Sequence, residues 1–191
     1  MTQKKNITIV PYAINKLNET ILCKLINKSN HLRKNNGNLL VKEIKNSDQI
    51  VEISINEPLN IATIKNFTFM YKISRCGSTL LSNMLEQDTT WKIIEEPIIL
   101  TKILNETNID KVKYMKKAVE ILTIKENSSQ THVFFNLFSQ IIFHRSLIEE
   151  TFPTAFSFYL YRQPAEVAES LFRKTPEWMK QYKNIKNYLL K

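Results

Sequence analysis

Six consecutive residues, Ser74-Arg75-Cys76-Gly77-Ser78-Thr79, combine a guanidinium, a thiol, two hydroxyl groups past a glycine, and a short polar break between two apolar runs. The chain has only two glycines and five arginines, and this break holds one of each. Where a strand turns into a helix, the first helical N–H groups lack intrahelical partners and carry partial positive charge. A glycine lets a ligand approach the backbone closely, and an arginine supplies a forked charge suited to phosphate or sulfate. The chemistry offered is anion binding; the plain alternative is a tight turn with Ser78 as a helix cap. A nucleotide-binding Gly-x4-Gly-Lys-Ser/Thr loop is excluded, because there is no second glycine and no following lysine. A three-glycine dinucleotide turn is excluded on the same count. A Cys-x5-Arg phosphatase loop fails because position 82 is Ser. Cys76 remains open between a packing role and a reactive thiol at a helix start.

The elements that must position this turn follow from hydrophobic periodicity. Residues 67–73, "FTFMYKI", form a continuous apolar strand, as expected for burial on both faces. Residues 78–87 carry helical spacing through Leu80, Leu81, Met84 and Leu85. "WKIIEE", "THVFFNLF" and "AFSFYLY" read as further strands. Between them, helices are expected from Pro97, over 109–124, over 139–152 from Ser139, and from Pro164; "PEWMKQYKNIKNYLL" reads as a terminal helix. Strand–helix alternation predicts an α/β domain with a parallel sheet and helices on both faces. Residues 1–66 differ, with short β-prone runs ("NITIV", "ILCKLI", "NLLVKEI", "QIVEISI") between polar breaks. They predict a small β-rich N-terminal lobe, distinct from the 67–191 domain, and His31 in its Lys/Asn-rich stretch reads as a surface residue.

The net charge is +9, but 22 of the 27 basic residues are scattered lysines, and 19 asparagines accompany them. That spread argues for solvated surface rather than a nucleic-acid footprint, which concentrates charge on one face. No apolar stretch approaches the roughly 18 residues of a membrane span, and no secretory leader is expected. Two cysteines, Cys23 and Cys76, cannot build a disulfide framework, so a cytoplasmic setting is expected. No His/Cys/Asp/Glu spacing matches a metal site.

"SRCGSTLLSNML" resembles the 5′-phosphosulfate-binding loop of the sulfotransferase superfamily, in the bacterial branch that carries Arg-Cys-Gly-Ser-Thr. "FYLYRQPAEVAESLF" is similar to that family's 3′-phosphate motif, an Arg-x-Pro with a Ser eight residues after the Arg; here these are Arg162, Pro164 and Ser170. The resemblance implies a three-layer, P-loop-NTPase-like α/β fold and a metal-free site for 3′-phosphoadenosine 5′-phosphosulfate (PAPS). Arg75, Cys76, Gly77, Ser78 and Thr79 would cradle the 5′ end, with Arg75 also acting on the transferred group. Arg162 and Ser170 would hold the 3′-phosphate.

Transfer of a sulfuryl group to a hydroxyl or amine calls for a general base. "WKIIEEPIIL" resembles the family's Glu-Pro element, and Glu96, beside Pro97, is the expected base, with Glu95 next to it. His132 in "QTHVFF" is the rival, since cytosolic relatives use a Thr-His sequence there, although it falls at the start of its strand. Asn136, at the favourable end, is expected to line the site where relatives carry a basic residue; His144 reads as a packing or surface residue. The resemblance covers residues 67–175. The family's later Arg/Lys-Gly loop over the adenine has no counterpart in the glycine-free end of the chain, so the domain is expected to be shortened or incomplete. Two other readings accompany this one: a P-loop-like nucleotide or phosphate transferase, and a non-catalytic interaction protein on the same scaffold. The acceptor and the oligomeric state are not specified.

Overall fold

A computed structural model of the chain describes residues 7–27 and 49–174. The "NLLVKEI" strand, His31 and the terminal helix fall outside the described residues. The N-terminal part is a three-stranded antiparallel sheet of β1 (Ile7–Asn15), β2 (Thr20–Asn27) and β3 (Ile50–Ser54), with β2 in the middle. Pro11 sits on the edge strand β1 where the register shifts by a bulge, a position that tolerates a residue without an N–H.

The second sheet is wholly parallel: β4 (Asn66–Lys72), β5 (Trp91–Glu95), β6 (His132–Asn136) and β7 (Phe156–Leu160), in spatial order β5-β6-β4-β7. Its helices are α1 (Ser78–Leu85), α2 (Ile98–Asn105), α3 (Lys111–Leu122), α4 (Arg145–Thr151) and α5 (Pro164–Arg173). The expected single helix over 139–152 is instead a 3-10 turn, Ser139–His144, running into α4. The run Ile141-Ile142-Phe143 breaks helical periodicity there: Ile141 is buried while Phe143 is exposed.

Side-chain alternation sorts the two faces of this sheet. Phe69, Tyr71, Val133 and Phe135 point into one cluster with Ile99, Ile103, Met115, Ala118 and Ile148 of α2, α3 and α4. Aromatic contacts tie it together, with ring centres 5.0 Å apart for Phe69–Phe135 and 5.5 Å for Phe67–Phe152. Ile21 and Cys23 of β2 join the same cluster, so the antiparallel sheet packs on the far side of α2 and α3. The hydrophobic core thus continues across the expected boundary near residue 66. The alternate residues of the parallel sheet, Met70, Lys72, Phe134 and Asn136, face the side where α1 lies; Ser82 of α1 meets Asn136 there. Helices therefore flank both faces of the parallel sheet.

Candidate functional site

Adjacent strands β4 and β6 send their chains to opposite edges of the sheet, toward β5 and β7 respectively. In open parallel sheets the crevice beyond the carboxyl ends at such a reversal is where ligands bind. The Ser74–Thr79 turn lies at the end of β4, in that crevice. Arg75 adopts φ 63° and Gly77 φ 94°, both left-handed. Gly77 is the residue preceding the first turn of α1, and no side chain caps that turn. Ser78 is therefore the first helical residue rather than the cap, and the first intrahelical bond runs from Leu81 N–H to the Gly77 carbonyl. A β-carbon on Gly77 would meet no atom within 4 Å, so space is open over the turn. Thr79 is exposed and Cys76 half-buried.

Arg75 reaches out of this turn to α5. Its Nε donates to Ser170 Oγ at 3.0 Å and its Nη2 to the Ser170 carbonyl at 3.3 Å. Ser170 lies on α5, past Pro164 at the helix start. Arg162, just before that helix, pairs with Glu166 at 3.0 Å, an i,i+4 bridge with a 42% exposed arginine side chain. The two expected 3′-phosphate residues are thus engaged differently: Ser170 with Arg75, and Arg162 with Glu166.

A second group of polar residues converges at the ends of β4, β5 and β6. Lys72, the last residue of β4, is only 6% exposed and pairs with Glu96 Oε1 at 2.7 Å. Glu96 follows β5 with φ 48°, and its N–H donates to the Asn136 carbonyl at 2.7 Å. The Asn136 amide, 1% exposed, donates to Ser82 Oγ at 3.1 Å and to Glu95 Oε1 at 3.4 Å. Its Oδ1 is buried without a hydrogen-bond partner among the described residues. Tyr71 Oη and Thr101 Oγ1 share that state away from the strand ends, so it is the Lys72–Glu96 and Asn136–Ser82 contacts that set this group apart. Two non-glycine residues in left-handed conformations, Arg75 and Glu96, flank this group, which is the pattern of strain retained at working sites. Lys72 and Ser82 are the members that sequence reasoning missed. The one available signal was a lysine inside the apolar run "MYKI", where burial demands a partner.

His132 is not brought to this group. It opens β6, four residues before Asn136 and roughly 13 Å away along the strand. There it is exposed, stacks on Trp91 with ring centres 5.0 Å apart, and its Nδ1 meets Thr131 Oγ1 at 2.9 Å. His144 ends the 3-10 turn. Both cysteines are free thiols, and burial pushes Cys23 up to about 12. Among the described residues no three or more His, Cys, Asp or Glu side chains gather as a metal site, and no helix is long and apolar enough to cross a membrane. Comparison with family models, with curated proteins and with solved structures returns no match for this chain.

Proposed function

We propose that the chain binds PAPS at the carboxyl ends of its parallel sheet, on a three-layer P-loop-like fold, and transfers the sulfuryl group to a hydroxyl or amine acceptor. The observation that carries this reading is the Arg75–Ser170 contact, in which residues from the two phosphate-binding sequence motifs touch across the crevice. The uncapped N-terminus of α1, with Gly77, Ser78 and Thr79, suits the 5′-phosphosulfate. Ser170 and Arg162 suit the 3′-phosphate, and the Arg75–Ser170 bonds link that end to the turn assigned to the 5′ end.

In the transfer, the acceptor oxygen or nitrogen attacks sulfur while the bond from sulfur to the 5′-phosphate oxygen breaks. The products are a sulfated acceptor and 3′-phosphoadenosine 5′-phosphate. Glu96 is the general base: Lys72 holds Oε1, and Oε2 receives the acceptor proton. The two free thiols support a cytoplasmic setting for this reading. Immobilised 3′-phosphoadenosine 5′-phosphate is expected to retain the wild-type chain and to release Arg75→Ala. No retention, together with no thermal shift at millimolar nucleotide, overturns the reading.

A second reading, a non-catalytic interaction protein, is favoured by one observation. Leu80 and Met84 on α1 and Phe172 on α5 are 65%, 64% and 89% exposed. Leu80 and Met84 lie four residues apart, on one face of α1, as a short exposed apolar stripe. Under this reading the nucleotide has no effect on stability, and Leu80→Asp with Met84→Asp removes association in sedimentation.

A further inference from the structure

An open hollow of about 530 Å³ lies at the other end of the parallel sheet, between the 55–65 segment and α3, with Phe67 and Phe152 in its lining. That size is within the roughly 300–1,000 Å³ of small-molecule sites. The segment is bonded to α3 at one end and to the residues just after it at the other. At one end Lys117, 5% exposed, donates to the Glu57 carbonyl and pairs with Glu120 at 2.6 Å, while Leu59 N–H donates to Glu120. At the other end Ile64 N–H donates to the Thr123 carbonyl at 2.8 Å, and Thr63 bridges Ile124. Between these anchors lies the hollow.

Its lining divides by chemistry. Ile64 and Val119 are buried, and the half-buried rings of Phe67 and Phe152 meet edge to face. Around this apolar part stand Lys65, Lys113 and Lys116, all exposed, and none forms an ion pair with a described residue. Of the two glutamates in the lining, Glu120 is already engaged by Lys117. The excess charge is positive and borders an aromatic wall.

We propose that this cavity binds a small amphipathic anion, with an apolar chain or ring against Phe67 and Phe152 and a carboxylate, sulfate or phosphate head at Lys113 and Lys116. The site is separate from the PAPS crevice and does not depend on that reading. Charge complementarity selects the head group, and the aromatic wall selects the body.

The test titrates the full chain with sodium decanoate by calorimetry. A dissociation constant on the order of 100 µM is expected for a ligand of this size. Lys113→Gln combined with Lys116→Gln, both exposed changes that leave the core intact, should weaken binding about tenfold. Decanol, with the same chain and no charge, should also bind at least about tenfold more weakly. Saturating 3′-phosphoadenosine 5′-phosphate should leave decanoate affinity unchanged. The proposal is overturned by any of four results: no saturable binding at millimolar decanoate, a double variant within twofold of wild type, decanol as tight as decanoate, or displacement by the nucleotide.

Discussion

The Arg75 guanidinium holds Ser170 twice, through its hydroxyl at 3.0 Å and its carbonyl at 3.3 Å, and so joins the turn after β4 to a helix 95 residues further on. The planar guanidinium presents Nε and Nη2 to the two oxygens in a fixed spread, which a lysine's single ammonium nitrogen does not reproduce. Arg75→Lys and Ser170→Ala should therefore each weaken 3′-phosphoadenosine 5′-phosphate binding, and their effects should be non-additive. A double-mutant cycle is expected to return a coupling of about 1 kcal/mol. Additive losses would mean that the two residues act separately.

Lys72 and Glu96 form a pair in which only the lysine is deeply buried. Removing the carboxylate leaves an ammonium group without compensation, whereas removing the lysine leaves a carboxylate that water can reach. Glu96→Ala should cost about 2 kcal/mol in urea unfolding, and Lys72→Met less than about 1 kcal/mol. Glu96→Gln should keep nucleotide binding and lose sulfuryl transfer. Equal stability losses for Glu96→Ala and Lys72→Met would contradict this asymmetry.

Gly77 has φ 94° with open space where a side chain would go. The cost of Gly77→Ala is thus conformational rather than steric, about 1 kcal/mol of stability. Under the proposed reading nucleotide affinity should fall as well, because a methyl group would stand over the turn assigned to the 5′ end. Unchanged unfolding and unchanged affinity would show that the turn relaxes freely and has no ligand to meet.

The bonds around Glu149 make its small contribution to stability depend on pH. Arg145 first, then Ser157 of β7, hydrogen-bond its carboxylate and hold it below its ordinary 4.5. A depressed carboxylate contributes stability that is complete above its unfolded value and lost as pH falls through the folded one. The lead of wild type over Glu149→Gln in urea midpoint should be full at pH 7 and close below about pH 4.5. A gap that persists unchanged at pH 3 would contradict the assignment.

Much of the α/β organisation was legible in residues 67–174, because the strands are short apolar runs and the helices, except over 139–152, show a periodic face. Pro164 marked the start of α5 for the same local reason. The order β5-β6-β4-β7 was not legible, since nothing in a single run says which neighbour it will pair with. Arg75 and Ser170 each stood out in a stretch that resembles a phosphate motif, yet their contact depends on how the sheet brings β7 beside β4. Lys72 escaped notice because the run around it is apolar, and only the fold supplies the Glu96 partner that lets a charge end a buried strand. His132 drew attention through its Thr-His sequence; parallel register with Trp91 fixes it at the opposite end of the sheet.

The central claim is that one crevice recognises two phosphate groups of a single nucleotide. Calorimetric titration of the wild-type chain with 3′-phosphoadenosine 5′-phosphate, set beside adenosine 5′-phosphate, tests it most directly. Saturable one-to-one binding is expected, with loss of the 3′-phosphate weakening affinity at least about tenfold, the effect of one charge-assisted contact set. Equal affinity for the two nucleotides, or no binding of either at millimolar concentration, would contradict it.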